Sequence, residues 1–296
     1  MTWQFTLTGL LIGVLVGLTG MGGGSLMTPI LVLLFGFKPT YAVGTDIVHG
    51  AIFKSFGAIR HRRLGTVHAR LTLWMFLGSG PLSLAGVAVA ELIKRHYGDS
   101  AQDVMGYAVG VALVAGGIGF LLKSFIHAGV QASDAPFIMS RRDKMIAVTI
   151  GAVFGFVVGL TSVGSGTFFG LVMVLVYPLT MPKIVGTDIF HAAALLWVAG
   201  IGHMVGHNVD YHATAWLLTG SIPGVLITSR FTVKMPDVLL RIALGTVLLL
   251  SGLKLVDVPG AQWILAGGLA TLGVALLAVG VRAWIQRPRT APIAEA

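Results

Sequence analysis

Two segments place a carboxylate and an imidazole three residues apart within apolar sequence. Asp46 and His49 stand in AVGTDIVHG at 42–50, and Asp188 and His191 in IVGTDIFHA at 184–192. That spacing puts each pair on one face of a helix. Ionisable groups inside a membrane-type segment are functional candidates, and an Asp–His pair can relay a proton. Two other roles suit the same residues. The aspartates, each following Gly-Thr, can cap helices near an interface. The histidines can hydrogen-bond a neighbouring helix. Lys54 lies five residues beyond His49 and is not repeated, its counterpart being Leu196. It can neutralise an anion from one side or extend toward the basic residues at 60–63.

A second set of candidates lies in two glycine-rich joints, Thr19-Gly20-Met21-Gly22-Gly23-Gly24-Ser25 and Thr161-Ser162-Val163-Gly164-Ser165-Gly166-Thr167. Glycine lets a ligand approach bare backbone. A helix restarting at Ser25 or Thr167 would point unpaired N–H groups and its positive dipole end into the joint, which is the chemistry of an anion site. The candidate binding residues are Thr19, Gly22, Gly23, Gly24, Ser25, Thr161, Gly164, Ser165, Gly166 and Thr167. Asp46, His49, Lys54, Asp188 and His191 are candidates for support or proton coupling. The competing account is that these glycines only permit tight helix crossing. His61, His203, His207 and His212 fall at segment ends or in loops without metal-ligand spacing, so no metal or other cofactor is expected.

The elements that must position these residues are duplicated. VGLTGMGGGS at 16–25 returns as VGLTSVGSGT at 158–167, and VGTDIVH at 43–49 as VGTDIFH at 185–191. The offset is 142 residues (46 to 188), and it holds through His61/His203, Trp74/Trp216 and Gly78-Ser79-x-Pro81/Gly220-Ser221-x-Pro223. An internal repeat in an apolar chain is a hallmark of secondary transporters, whose sites lie between the halves. Of the 296 residues, 55% are hydrophobic and only 10% charged, far from the roughly 25% charged of a soluble domain. The net charge of +9 sits in loops, where it sets orientation and does not indicate nucleic-acid binding. The chain has no cysteine, so disulfide and thiolate chemistry are excluded.

We therefore expect an all-α, polytopic membrane helix bundle. Several apolar stretches reach the roughly 20 residues needed to cross a bilayer. Those at 5–18, 25–37, 145–160 and 166–180 read as short, paired around the joints. Loop 60–70, RHRRLGTVHAR, is basic and reads as cytoplasmic, whereas its counterpart 202–212 carries no Lys or Arg. Opposite charge bias in equivalent loops predicts two inverted-topology repeats, with the N-terminus outside and the C-terminus cytoplasmic. Lys94 and Arg95 run against that scheme. The expected organisation is a first repeat at 1–126, a cytoplasmic linker at 127–144, a second repeat at 145–256, and an extra C-terminal helix and tail at 257–296. Each short pair must enter and leave on one side.

The chain resembles the TauE/SafE sulfite exporter family, also described as 4-toluene sulfonate uptake permeases. The resemblance rests on GLTGMGGGSLMTPIL at 17–31, AVGTDIVHGAIFKSFGAIRHRRLG at 42–65 and their echoes in the second half. It implies a bacterial inner-membrane carrier of sulfur-containing anions such as sulfite, sulfoacetate or sulfonates. The second joint departs from the first by placing Ser162 and Ser165 where Gly20 and Gly23 stand. The expected function is alternating-access transport of such an anion, with the lipid bilayer as surroundings and a proton as a candidate coupling ion. A carboxylate carrier, an anion channel and a membrane-embedded enzyme using the Asp and His residues are the rivals. No P-loop is present, which argues against an ATP-driven pump within the chain.

Overall fold

Apolar residues occupy every face of most segments, so helices here must bury against one another or against lipid. The computed structural model describes residues 2–19, 24–125, 137–228, 237–261, 263, 264, 266 and 267. All regular elements among them are helical: α1 (Thr2–Thr19), α2 (Gly24–Leu33), α3 (Pro39–Arg63), α4 (Ala69–Tyr97), α5 (Ala101–Phe125), α6 (Arg141–Thr161), α7 (Phe168–Val176), α8 (Met181–Val205), α9 (Tyr211–Thr228) and α10 (Asp237–Leu255). α4, α6 and α8, together with 101–122 of α5, are long and apolar enough to cross a membrane. Most of the extra helix expected from 262 onward lies outside the described residues.

One length expectation is corrected. α1 and α6 run for 18 and 21 residues, and only α2 and α7, with 10 and 9, are short. The charged turn Arg141–Lys144 belongs to α6, because Ser140 caps it: the Ser140 hydroxyl accepts from Asp143 N, and the Asp143 carboxylate accepts from Ser140 N. At 1.5 Å per residue α6 spans about 31 Å, a full bilayer core, and α7 about 14 Å. The chain then comes back. The Tyr177 hydroxyl, at the end of α7, donates to Asp143 O at 3.1 Å, beside the start of α6. Phe35 and Phe37, just past α2, have ring centroids 4.6 and 6.0 Å from that of Phe5, near the start of α1. Each pair thus ends beside its own start.

Packing is reciprocal between the halves. α1 lies along α9, with Gly9 against Leu217 and Gly13 against Ser221. α6 lies along α4 in the equivalent register, with Gly151 against Met75 and Gly155 against Ser79. At each of these four glycines a Cβ would collide with the facing backbone, so the crossing exists only because the side chain is a hydrogen. α3 packs on α8: Gly50 faces Leu196, Gly57 faces Ile189, and Gly200 faces Ile47 and Val48. Numbers fall on one helix as they rise on the other, so these repeat equivalents run antiparallel. α5 and α10 do the same, Gly110 meeting its own counterpart Gly252.

Loops 64–68 and 206–210 consequently lie at opposite ends of the α3/α8 pair. His68 N donates to Thr187 Oγ1 at 2.9 Å at the first end, and Asp210 N donates to Thr45 Oγ1 at 3.0 Å at the other. These two bonds are repeat equivalents. The Lys94 that ran against the charge pattern lies at the end with loop 206–210. It donates to Gly206 O at 3.2 Å and Asn208 Oδ1 at 2.9 Å, and both Lys94 and Arg95 pair with Glu91. Glu91 therefore offsets one of these two charges locally.

Candidate functional site

The second joint is built by the end of α6 and held by the first half of the chain. α6 stops because Ser162, its C-cap, takes a left-handed φ of 65°, its N–H donating to Val158 O at 2.7 Å. Gly164 and Gly166 follow at φ 116° and 119°, conformations that favour glycine, so the two residues that make the turn could not easily be exchanged. Near its end α6 packs Gly159 against Ser83 of α4, and α4 continues past Gly86 for another eleven residues to Tyr97. The joint therefore lies about 16 Å short of the end of α4, at membrane depth.

Three contacts from the other half reach it. Asp46, 2% exposed, accepts from the hydroxyls of Thr28 (2.7 Å) and Ser162. Lys54, also 2% exposed, donates to Ser165 O at 2.7 Å and shares a 3.0 Å bond with Ser165 Oγ. Gly164 N donates to Ser25 Oγ at 3.4 Å. Snorkelling of Lys54 toward the basic loop is thereby excluded: its ammonium turns inward, where both Asp188 and Asp46 attract it. The capping role offered for the aspartates is also overturned. α3 starts at Pro39 behind Lys38 and α8 at Met181 behind Thr180, so Asp46 and Asp188 stand inside their helices with side chains in the protein interior. A proline in the first turn begins each helix earlier than the Gly-Thr pattern suggests.

The histidines make the interhelical bonds that were one of their two expected roles. His49 Nε2 and Ser221 Oγ are 2.9 Å apart, and His191 Nε2 and Ser79 Oγ are 2.9 Å apart. Each pair joins one half to the other, and the two pairs are repeat equivalents. Ser79 and Ser221 were passed over at the sequence level, although both sit in the doubled Gly-Ser-x-Pro motif. His203 Nε2 donates to Gly159 O at 2.9 Å, which fixes its proton on that nitrogen.

The remaining candidates are distributed unevenly. Thr161 turns its hydroxyl to Val157 O at 2.7 Å and accepts from Val163 N at 3.3 Å, so it braces the end of α6. Thr167 precedes α7 and is 5% exposed, and its Oγ1 has no hydrogen-bond partner among the described residues. Ser25 is buried on the first turn of α2. Gly22 and Gly23 lie outside the described residues; Thr19 and Gly24 are placed only as the last residue of α1 and the first of α2. Among the described residues no cluster of three or more metal-ligating His or carboxylate side chains occurs.

A bundle of apolar spanning helices, interrupted by a polar joint that carries a buried ammonium and carboxylates, is a polytopic membrane protein with an internal polar centre. Residues 5–255 match the family model described as Sulfite exporter TauE/SafE, and the chain belongs to that family of membrane transporters. It is 36% identical over 256 residues to the probable membrane transporter protein YjnA of Bacillus subtilis, covering 86% of this chain and all of that one. The probable membrane transporter protein YdhB of the same organism is 26% identical over 83% of this chain and 96% of its own length. A sulfite exporter TauE/SafE family protein of Arabidopsis thaliana is 34% identical over 104 residues, 35% of this chain and 22% of its own. No solved structure matches the chain.

Proposed function

We propose that this protein is a secondary carrier of a small sulfur oxyanion, such as sulfite, sulfoacetate or a sulfonate, bound at the joint between the two halves. The observation that carries this reading is the fully buried Lys54 ammonium, delivered by α3 into the joint after α6. On the same joint lie the Ser165 hydroxyl, the Ser25 hydroxyl that accepts from Gly164 N, the amino end of α7 and the Thr167 hydroxyl, which has no partner among the described residues. Ammonium, hydroxyl and backbone N–H are the donors a tetrahedral or pyramidal oxyanion uses. The family's description as sulfite exporters favours sulfur over carboxylate.

The charge inventory supports coupling to protons. Among the described residues, two buried carboxylates, Asp46 and Asp188, stand with one buried ammonium. An added anion deepens that imbalance in a medium where uncompensated charge is costly, so the anion enters with at least one proton. The antiparallel pairing of α3 with α8 and of α5 with α10 supports an inverted-topology repeat. Such a repeat gives the two near-equivalent states that alternating access requires. The basic 60–70 loop then faces the cytoplasm of a bacterial inner membrane and the N-terminus faces out.

The test is calorimetric binding of sulfite, sulfoacetate, an aryl sulfonate, sulfate and acetate to purified protein, in two buffers of different ionisation enthalpy. We expect selective binding of a sulfur oxyanion with proton uptake, weakened at least tenfold in Ser25→Ala/Thr167→Val. Selective binding of acetate would transfer the reading to a carboxylate carrier. Undiminished affinity in the folded double variant would remove these hydroxyls from the site.

A further inference from the structure

Away from the joints, a groove of about 570 Å³ opens sideways between α3 and α8, lined by Ser55, Ala58, Ile59, Arg62, Arg63 and Phe190. It is charged at one end only. Arg62 and Arg63 are exposed in the last turn of α3, and the Arg62 guanidinium lies 5.8 Å from the centroid of the Phe190 ring. Among the described residues neither arginine forms an ion pair. Phe56 and Ile59 of α3 and Trp197 and Ile201 of the membrane-length helix α8 present large apolar side chains on the surface, an exposure suited to lipid tails. At 1.5 Å per residue, Ser55 lies about 10 Å deeper along α3 than Arg62. The groove thus offers two cations at the end of α3, where it packs on the membrane-length helix α8, and an apolar channel descending from them.

We propose that this groove holds one anionic phospholipid, its phosphate between Arg62 and Arg63 and an acyl chain laid past Ile59 and Ala58 toward Ser55. Guanidinium groups bind phosphate oxygens in paired hydrogen bonds, and basic pockets between spanning helices select anionic head groups. Arg60 adds positive charge in the same turn, against the partial negative charge of the helix's carboxyl end. The internal repeat supplies a control within one molecule. The positions equivalent to Arg62 and Arg63 are Met204 and Val205, so the corresponding turn of α8 lacks both charges.

The experiment is native mass spectrometry of the full chain in neutral detergent, titrated with phosphatidylglycerol or phosphatidylcholine of identical acyl chains. We expect one retained phosphatidylglycerol and little phosphatidylcholine. Arg62→Ala/Arg63→Ala should weaken retention about 30-fold, from the worth of two basic residues at a membrane surface. Arg62→Lys/Arg63→Lys should keep most of it, and Met204→Ala/Val205→Ala all of it. Equal retention of the two lipids, or full retention of phosphatidylglycerol by the alanine variant, would overturn the proposal. Glycerol 3-phosphate competing at the same concentration as the lipid would overturn the acyl-chain part. Replacement of the lipid by a second copy of the chain, released by the alanine variant, would reassign the groove to self-association.

Discussion

Replacing Lys54 by methionine keeps the length and apolar stem of the side chain and deletes only its charge. The variant loses the bonds to Ser165 O and Oγ and leaves Asp46 and Asp188 without the ammonium that attracts both. Removing one member of a buried charged set costs about 3–5 kcal/mol. At roughly 2–4 °C per kcal/mol for a large domain, the melting temperature in detergent should fall by roughly 6–20 °C. Anion binding should fall further. A cation about 4 Å from a bound anion contributes on the order of 4 kcal/mol at the effective dielectric suited to protein sites, which corresponds to about 1,000-fold in affinity. The two effects separate in Lys54→Met/Asp188→Asn, where one negative charge is removed along with the positive one. That double variant should recover much of the stability but only part of the affinity, because the anion still lacks its cationic donor although one repelling carboxylate is gone. The assays are thermal unfolding and calorimetric titration with sulfite, run side by side on the single and double variants. Wild-type affinity in folded Lys54→Met would refute the assignment of Lys54 to the anion. A double variant no more stable than the single one would refute the charge-balance argument.

Because the chain has no cysteine, single substitutions report topology directly. Leu64→Cys and His207→Cys should react with a membrane-impermeant maleimide from opposite faces of oriented vesicles, and labelling of both from one face would refute the inverted arrangement. The reciprocal His–Ser bonds should be worth about 1 kcal/mol each. Ser79→Ala and Ser221→Ala should therefore lower stability by similar amounts in thermal unfolding, and a large inequality would show that the two halves do not share these bonds equivalently.

Much of this architecture was legible in the residues. The 142-residue echo, the paired glycine joints and the contrast between a basic loop at 60–70 and a Lys- and Arg-free loop at 202–212 are periodicities and compositions. Each has a direct physical reading in a bilayer. The helix starts were harder. Arg141–Lys144 looked like linker because charge usually marks a loop, yet the Ser140–Asp143 capping box draws that turn into α6. Asp46 and Asp188 looked like caps because each follows Gly-Thr, yet prolines in the first turn begin α3 and α8 earlier.

Which residues are equivalent can be read along the chain; which are neighbours is set by how the helices pack. Equivalence follows from a fixed offset along the chain. Adjacency follows from an exchange in which each half packs on the other, so that Ser79 meets His191, Ser221 meets His49, and α1 lies along α9. Lys54 shows the difference most clearly. Unrepeated and close in sequence to a basic loop, it gave no local sign of its direction. Its ammonium turns inward because the carbonyl and hydroxyl of Ser165, more than a hundred residues away in sequence, accept from it there, and the buried Asp46 and Asp188 attract it. Folding alone brings that set of charges and dipoles to one point.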